Sequence, residues 1–558
     1  MALWTLGGRT PVPTRRAYPL YLHRACAAVG ARDPRDAVVK IFNTRQRPGW
    51  TVPWQDQPVD SSTGSGAIIR AQFGRGGSVR FGVLTAAHVI SDTRYLQIQR
   101  SMDRFSGEKY RARVAAVCHE IDLALLLVDD EDEALAGITP LDVAAPHELP
   151  VIFDKVRVVG YPVGGDACSV TEGVVSRVEV QEYSHSLRAG LALTVDAAIN
   201  SGNSGGPLVH SATARIMGVA FQKLVARGVE LQGHAVPAPL IRLFLDEVAD
   251  AEELSSPAEG VRQQQHEQEE SGEGTLVPFR LRMPSLGCDY QPLEAPALRR
   301  SLSMGDRTGI LMCRCHSAED NSQQKQPETA QIQQGDVLLT FNGHALDNNG
   351  FSDLLGRRLH FAVARDICQV GTAVPVSVWR DRAELHFEHL LRPAQYLVPR
   401  GQYDTRPRYF ICGGLVFQPL THEYLQGWSI NDRPAHLQDL FQRGHLTPLR
   451  NEVVIISTVL ADAVNTGYDS GWIGAPVVHK VNGEPVRNLP HLISVVRAAR
   501  MHEATDPQLE TFLNFEVSMS GGPFRFALPA GELQAAERRI SAIYGVPAAC
   551  CSEHYLDT

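Results

Sequence analysis

Several features that define other classes of protein are missing from this sequence of 558 residues. No apolar run approaches the roughly 18–20 residues that a membrane-spanning helix needs, so no integral membrane segment is predicted. Basic charge is not in excess either, because 53 Lys and Arg stand against 62 Asp and Glu and the net charge is −9. This balance argues against a general nucleic-acid-binding protein, which needs a basic face.

Cysteine spacing also excludes common types of site. The ten cysteines are scattered, and the close pairs Cys313/Cys315 and Cys550/Cys551 do not have the C-x-x-C spacing. We therefore expect no zinc site and no dense disulfide framework, and we interpret the cysteines as reduced thiols of an intracellular compartment. No metal or cofactor is expected.

Acidic residues are absent from the first 32 positions, which carry five arginines, and the first acid is Asp33. An acid-free segment that contains arginine is typical of an organelle transit peptide. The alternative for residues 1–35 is a disordered tail of a cytosolic or nuclear protein.

Short apolar runs separated by Gly, Pro, Asn and Asp fill the region from Ala37 to Leu245. Many short strands without alternating helices indicate β-barrels or a sandwich. We assign residues 36–249 to this mainly β domain, which is closed by a helix that begins near Pro239. Predicted strands include Ala67-Ile68-Ile69, Gly82-Val83-Leu84-Thr85, Leu123 to Val128, Val156 to Val159, Gly173-Val174-Val175, Leu191 to Val195 and Ile216 to Ala220.

The remainder of the chain divides into a linker and two similar units. Residues 250–275 are rich in Glu and Gln with few apolar residues, which predicts a polar linker. Residues 276–392 and 393–558 each contain an apolar strand that ends in Asn-Gly, at Asn342-Gly343 and Asn482-Gly483. This self-similarity indicates a duplicated module. We also expect a polar loop over 316–329 and a C-terminal helix over 531–543.

The turn Asn200-Ser201-Gly202-Asn203-Ser204-Gly205-Gly206-Pro207 carries the strongest chemical signal. A serine nucleophile needs an adjacent base and backbone N–H groups aimed at the developing oxyanion. Glycines allow the backbone to fold tightly around a substrate carbonyl. We predict that Ser204 is the nucleophile and that the N–H groups of Gly202 and Ser204 form the oxyanion hole. The alternative is an ordinary turn between two strands.

Two further motifs supply the partners of such a serine. His88 follows an apolar strand and two small residues, which suits a general base, and Asp122 opens an apolar strand, which suits a buried acid that orients the histidine. The order His88, Asp122, Ser204 is that of chymotrypsin, whereas the α/β-hydrolase order differs. The region is long enough for two six-stranded barrels, for which we count about 180–220 residues.

The base of the specificity pocket lies about six residues before the nucleophile in chymotrypsin-like enzymes. Ala198 occupies that position, where an enzyme that cleaves after Lys or Arg has an acid. We therefore predict a preference for small or medium apolar residues before the cleaved bond.

These motifs resemble the HtrA/Deg serine proteases, and more narrowly the plant and algal Deg branch. The matching segments are Thr85-Ala86-Ala87-His88, Asp122 to Leu126, Gly202 to Pro207, Gly160 to Asp166, Ser169 to Glu179 and Asp196 to Ser201. The resemblance implies a chymotrypsin-like double β-barrel followed by two PDZ-like α+β domains. The segment Ser285-Leu286-Gly287 matches the peptide-binding loop of the family's first PDZ domain, whereas the second PDZ-like unit is divergent, with an apolar loop at Gly413 to Phe417.

The resemblance also implies a function. Members of the family are ATP-independent endopeptidases that act on damaged or unfolded protein, assemble as trimers or their multiples, and bind extended peptides by β-strand addition. For this chain we expect the same substrates and a homo-oligomer in a mitochondrion or chloroplast, with the nucleus or cytosol as alternatives. The competing hypothesis is a non-proteolytic peptide-binding chaperone or scaffold whose triad is present but inactive.

Overall fold

A computed structural model describes residues 33–104, 107–223, 232–251, 278–315, 331–468, 474–503, 511–547 and 549–552. The predicted N-terminal tail lies outside the described residues except for its last three positions. The polar linker lies outside them except for residues 250 and 251, and the polar loop over 316–329 lies wholly outside.

The first six strands form a closed antiparallel barrel in the order β5-β4-β1-β2-β3-β6, and β6 pairs back with β5. Strand β6 is buried along its whole length because its Leu-Ala-Leu-Leu-Leu-Val run faces apolar neighbours on both sides. The elements are β1 (Val38–Arg45), β2 (Asp60–Gln72), β3 (Val79–Thr85), α1 (Ala87–Ile90), β4 (Thr93–Arg100), β5 (Tyr110–Cys118), β6 (Leu123–Val128) and α2 (Glu131–Ala134), with 3₁₀ turns at Pro34–Ala37, Ser101–Arg104 and His119–Ile121.

The next six strands close a second barrel in the order β10-β11-β12-β9-β8-β7. Helix α3 follows it and buries Leu240, Ile241, Phe244 and Val248, as the sequence predicted for a closing helix. The elements are a 3₁₀ turn at Pro146–Glu148, β7 (Lys155–Gly160), β8 (Ser169–Glu182), β9 (Ala189–Val195), β10 (Pro207–His210), β11 (Ile216–Lys223), β12 (Gly233–Pro237) and α3 (Ala238–Asp250). The expected double barrel is confirmed.

The unit after the linker is built on a sheet in the order β15-β16-β17-β21-β22. Its first strand, β13, pairs in parallel with β5 of the first barrel, which joins this unit to the barrel through main-chain hydrogen bonds. The elements are β13 (Phe279–Arg280), β14 (Pro284–Ser285), β15 (Cys288–Pro292), α4 (Pro296–Ser301), β16 (Ile310–Cys315), β17 (Val337–Phe341), β18 (His344–Ala345), β19 (Phe351–Leu354), β20 (Arg357–His360), α5 (Ala362–Asp366), β21 (Ala373–Arg380), β22 (Ala383–Leu390) and β23 (Arg392–Pro393).

The last unit is built on a sheet in the order β24-β25-β26-β27-β29-β30. Its described C-terminal residues return to the first strand of this sheet, where the N–H of Ile411 donates to the carbonyl of Cys550 at 2.7 Å. The elements are β24 (Phe410–Cys412), β25 (Leu415–Pro419), α6 (His422–Leu425), α7 (Ala435–Arg443), β26 (Val454–Val459), a 3₁₀ turn at Ala463–Asn465, β27 (Val477–Val481), β28 (Glu484–Pro485), α8 (Leu489–Glu503), β29 (Phe512–Met519), β30 (Gly522–Pro529), a 3₁₀ turn at Ala530–Glu532 and α9 (Leu533–Tyr544).

The two Asn-Gly pairs occupy equivalent places in these units. Each forms the tight turn of a hairpin, between β17 and β18 in one unit and between β27 and β28 in the other. The φ angles are +49° and +78° at the first pair and +49° and +85° at the second. Two successive residues of positive φ characterise a type I′ turn, for which Asn-Gly is the preferred sequence. The sequence similarity therefore corresponds to a repeated structural feature.

A buried ion pair joins the second barrel to the following unit. A guanidinium nitrogen of Arg188 lies 2.6 Å from a carboxylate oxygen of Asp366, and both side chains are almost fully buried. Arg188 also donates to the carbonyl of Pro284 at 2.8 Å. Because an unpaired buried charge is costly, the position of this unit on the barrel depends on keeping both partners together.

Cysteine pairing differs from the expectation of reduced thiols. Cys288 and Cys315 are directly opposite each other in the register of β15 and β16, and a disulfide joins them. Their separation of 27 residues carries no recognisable spacing signal, so the pairing follows from strand register alone. The expectation was wrong for this pair.

Candidate active site

Two of the predicted triad residues meet because their strands are neighbours. His88 lies in α1, directly after β3, and Asp122 directly precedes β6. These strands pair antiparallel, with Thr85 opposite Ala124, so the end of one strand lies beside the start of the other. The barrel therefore brings together two residues that are 34 positions apart.

The histidine and the aspartate form a two-point contact. The ring Nδ1 of His88 lies 2.7 Å from Oδ2 of Asp122, and the backbone N–H of His88 donates to Oδ1 at 2.8 Å. Because an ionised carboxylate only accepts hydrogen bonds, Nδ1 is the donor, and Nε2 of the neutral ring carries the lone pair. This is the tautomer that a general base requires.

In each partner of this pair, burial and the attraction of the other group shift the pKa in opposite directions. The side chain of Asp122 is 0 % exposed, and burial raises its pKa, but the interactions with His88 and, after it, His185 outweigh that effect and the pKa is lowered overall. Burial lowers the pKa of His88, but Asp122 outweighs it and the pKa of the imidazole is raised overall. The buried carboxylate therefore stabilises the protonated form of the base.

The turn that carries Ser204 is fixed against the segment that leads to His88. The N–H of Ser65 in β2 donates to the carbonyl of Ser204 at 2.9 Å. Gly205 has a φ of +82°, and a Cβ at this position would overlap Oγ1 of Thr85 and lie 2.9 Å from the nitrogen of Ala86. Only glycine allows this approach, which places the predicted nucleophile beside the turn of the predicted base.

Gly202 is held by a serine that the sequence analysis did not identify. Ser65 is fully buried, and its hydroxyl donates to the carbonyl of Gly202 at 2.7 Å while accepting from the N–H of Tyr161 at 2.8 Å. Among the described residues, the N–H groups of Gly202 and Ser204 donate to no backbone acceptor. The signal for Ser65 is its place in the run of small residues Thr63-Gly64-Ser65-Gly66.

Ala198 lies in the segment between β9 and the turn of Ser204. Its side chain is half-buried, and its carbonyl accepts from the hydroxyl of Thr171 at 3.3 Å. The nearby Asp196 is exposed, and its carboxylate accepts from the N–H of Val174 at 2.5 Å. This carboxylate is therefore already engaged with the backbone of β8.

Ser285, Leu286 and Gly287 directly follow Pro284, whose carbonyl accepts from Arg188 of the second barrel. The hydroxyl of Ser285 accepts from the N–H of Gly287 at 3.1 Å. Leu286 is buried, and its carbonyl lies 3.2 Å from the ring Nε2 of His389. The loop is thus closed on itself and fastened to the sheet of its own unit.

Two further observations concern the described parts of the chain only. Within the ranges that the structure describes, no three side chains of His, Cys, Asp or Glu are arranged to hold a metal ion. Over the same ranges, no helix has the length and apolar character needed to cross a membrane.

The fold and this site define a trypsin-like peptidase, and comparison with known families agrees. A trypsin-like peptidase domain model matches residues 64–219, which contain all three predicted triad residues. A PDZ domain model matches residues 398–553, which is the unit that the sequence analysis regarded as divergent.

Relatives of known name extend over most of the chain. It is 32 % identical over 464 residues to the mitochondrial protease Do-like 4 of Arabidopsis thaliana, covering 83 % of this chain and 76 % of that protein. It is also 32 % identical over 470 residues to the chloroplastic protease Do-like 2 of Arabidopsis thaliana, covering 83 % and 68 %. Among solved structures, it is similar to an HtrA-type protease AlgW with a decapeptide, with 18 % identity, a TM-score of 0.43, and coverage of 64 % of this chain and 96 % of that one. The chain belongs to the Do-like, or Deg/HtrA, family of serine endopeptidases.

The buried contact between His88 and Asp122 leads to a prediction about titration. In an Asp122→Asn variant we expect the pKa of His88 to fall below its ordinary value of about 6.5, because burial then acts without the opposing carboxylate. Titration of the ring proton of His88 by NMR measures the change, with the unmodified protein as the reference. A pKa of His88 that stays above that value in the variant would contradict the account of the pair.

Proposed function

We propose that this protein is an ATP-independent serine endopeptidase that degrades damaged or unfolded proteins through a triad of Ser204, His88 and Asp122. The observation that carries the proposal is the two-point contact between His88 and a fully buried Asp122. That contact holds a neutral imidazole with Nε2 free, and the turn of Ser204 packs against the same segment. A trypsin-like peptidase domain that contains all three residues supports the same reaction.

In the proposed mechanism the hydroxyl oxygen of Ser204 attacks the scissile carbonyl while Nε2 of His88 accepts its proton. The N–H groups of Gly202 and Ser204 stabilise the oxyanion that develops on the substrate. His88 then returns the proton to the leaving amine, and an acyl-enzyme ester remains on Ser204. Water, deprotonated by His88, hydrolyses this ester and restores the serine. Asp122 keeps its negative charge throughout and stabilises the imidazolium.

The carboxylate of Asp122 lowers the barrier of the reaction because a positive charge develops on His88 next to it. When the proton moves to His88, a cation forms beside a buried anion, and this attraction is strong where water is excluded. The raised pKa of His88 has the same cause, since Asp122 outweighs the effect of burial. Transition-state stabilisation by this pair is therefore built into the resting geometry.

We further propose that Ser285, Leu286 and Gly287 belong to a peptide-binding loop of a first PDZ domain at 276–392. We also propose that the chain forms a homo-oligomer, a trimer or a multiple of it. The PDZ domain model matches the last unit, whose sheet runs in the order β24-β25-β26-β27-β29-β30. The names of two relatives place them in the mitochondrion and the chloroplast, and this supports an organelle location for this chain.

Replacement of the nucleophile tests the reaction. We expect a Ser204→Ala variant to lose digestion of unfolded casein without ATP, with a rate reduction that approaches about 10⁶-fold, because no group replaces the attacking oxygen. Ser201→Ala is the matched control, since Ser201 is an exposed serine of the same turn. The measurement is release of fluorescent peptides from labelled casein by the full chain.

The outcomes separate protease from chaperone. Loss of cleavage in Ser204→Ala with normal cleavage in Ser201→Ala supports the proposal. Absence of cleavage by the unmodified protein, together with equal suppression of casein aggregation by all three proteins, would instead favour the peptide-binding scaffold.

The residue at position 198 yields a separate prediction about specificity. We expect a peptide library to be cleaved after small or medium apolar residues, because Ala198 places no charge at the base of the pocket. An Ala198→Asp variant should gain cleavage after Lys and Arg, since the new carboxylate would pair with a basic side chain. Mass spectrometry of the digests reads both preferences. Dominant cleavage after Lys or Arg by the unmodified protein would refute the assignment.

A further inference from the structure

Two histidines outside the proposed triad lie beside the pair of His88 and Asp122. The ring centroid of His185 is 6.2 Å from that of His88, and the centroid of His119 is 5.2 Å from that of His185. His119 belongs to the 3₁₀ turn just before Asp122, and His185 belongs to the loop between β8 and β9. Neither residue takes part in the mechanism described above.

A carboxylate from a distant part of the chain completes this group. Asp404 lies near the start of the last unit, between β23 and β24 and 285 positions after His119, and its Oδ2 lies 3.0 Å from Nε2 of His119. The other oxygen, Oδ1, accepts from the backbone N–H of Asp92 at 2.6 Å. On the far side of the ring, Nδ1 of His119 lies 2.9 Å from Nε2 of His185. The four residues form one continuous chain of hydrogen bonds that ends beside the triad.

The chemistry of these groups determines which atom donates in each of these hydrogen bonds. A carboxylate only accepts, so Nε2 of His119 donates to Asp404. A His119 ring that carries a single proton, on Nε2, accepts at Nδ1 from the N–H of His185 Nε2. Nδ1 of His185 consequently carries a lone pair. The anchoring carboxylate thus sets the tautomers of both rings, as second partners of functional histidines do elsewhere.

Tyr403 holds the same two rings in place. Its ring stacks on His119 with a centroid distance of 4.1 Å and an interplanar angle of 7°, and it also lies 4.7 Å from His185. Its hydroxyl donates to the carbonyl of His185 at 3.1 Å. Tyr403 and Asp404 have φ angles of +27° and +54°, which are costly for residues with a Cβ. The contacts to the histidines compensate for this backbone conformation.

The charged and titratable groups around His185 are His88, His119, Asp122, Asp404 and Tyr403. Burial lowers the pKa of His185 to about 4, although Asp122 acts to raise it. His185 is therefore neutral at the pH of the cell. Because the ring of His185 is neutral and held in place, it does not compete with His88 for the carboxylate of Asp122. A His185 ring that could rotate would compete for that carboxylate.

We propose that Asp404 is a positioning residue for peptide hydrolysis, acting through His119 and His185 on the pair of His88 and Asp122. This proposal rests on the proposed function, because it assigns a role in the same reaction. It makes the segment between β23 and β24, at the start of the last unit, a structural part of the active site. A protease domain separated from that segment lacks Asp404, the carboxylate at which the series of hydrogen bonds begins.

The decisive variant is Asp404→Asn in the full chain. An asparagine has one acceptor oxygen where Asp404 uses two, so it cannot accept from both Asp92 and His119. We expect kcat for a peptide substrate to fall about tenfold with KM unchanged, as for loss of an outer partner of a functional histidine. The acid limb of kcat/KM should also move to lower pH, because a released His185 competes for Asp122 and lowers the pKa of His88.

Asp56→Asn is the matched control. Asp56 accepts from Arg406 at 3.0 Å, so it fastens the same segment to the protease domain without touching the histidines. We expect this variant to keep the kcat and the pH profile of the unmodified protein. Equal losses in both variants, or an unchanged pH profile in Asp404→Asn, would overturn the proposal and leave the segment with a fastening role only.

A second readout does not depend on activity. With ¹⁵N-labelled histidine, NMR should show His185 protonated on Nε2 and not on Nδ1 in the unmodified protein, and Asp404→Asn should change this tautomer. That result shows that Asp404 sets the tautomer of His185 whether or not the chain is active, so a failure of this proposal can be told apart from a failure of the proposed function. Protonation of His185 on Nδ1 in the unmodified protein would overturn it, whether or not the variant folds.

Discussion

The contact between His88 and a carboxylate that water cannot reach is the constraint on which the site depends. Asp122 is fully buried, so its charge must be met by donors from the protein, and His88 supplies two. The pairing of β3 with β6 places the two residues side by side, and the closed barrel fixes that register. The fold therefore sets the orientation of the His88 ring against Asp122.

The turn that carries Ser204 is held near this pair by close contacts with β2 and with the segment before His88. Ser65 ties the turn of Ser204 to β2, and the absence of a side chain at Gly205 lets that turn reach the segment before His88. Distant parts of the polypeptide also contact the protease domain. Asp366 forms a buried ion pair with Arg188, and Asp404 begins the series of hydrogen bonds through His119. The two units after the barrels are consequently joined to the protease domain at points close to its chemistry.

Local sequence predicts the parts of this structure that depend on local chemistry. Apolar runs predicted strands that fall in β2, β3, β6, β7, β8, β9 and β11, and they predicted the helix α3. The motifs around His88, Asp122 and Ser204 indicated residues whose segments the structure brings together. The contacts of Ser65 with Gly202 and of Asp404 with His119 span 137 and 285 positions, so no spacing rule reveals them. The disulfide of Cys288 with Cys315 was not predicted for a related reason, because it depends on the register of two strands.

The account's central claim is that Ser204 is the activated nucleophile, and covalent labelling tests it most directly. A fluorophosphonate reacts with a serine only where a neighbouring base and an oxyanion hole activate the hydroxyl. Treatment of the full chain followed by peptide mass spectrometry should find one adduct, on the peptide that contains Ser204. The absence of an adduct at Ser204, or an adduct at another serine, would contradict the account.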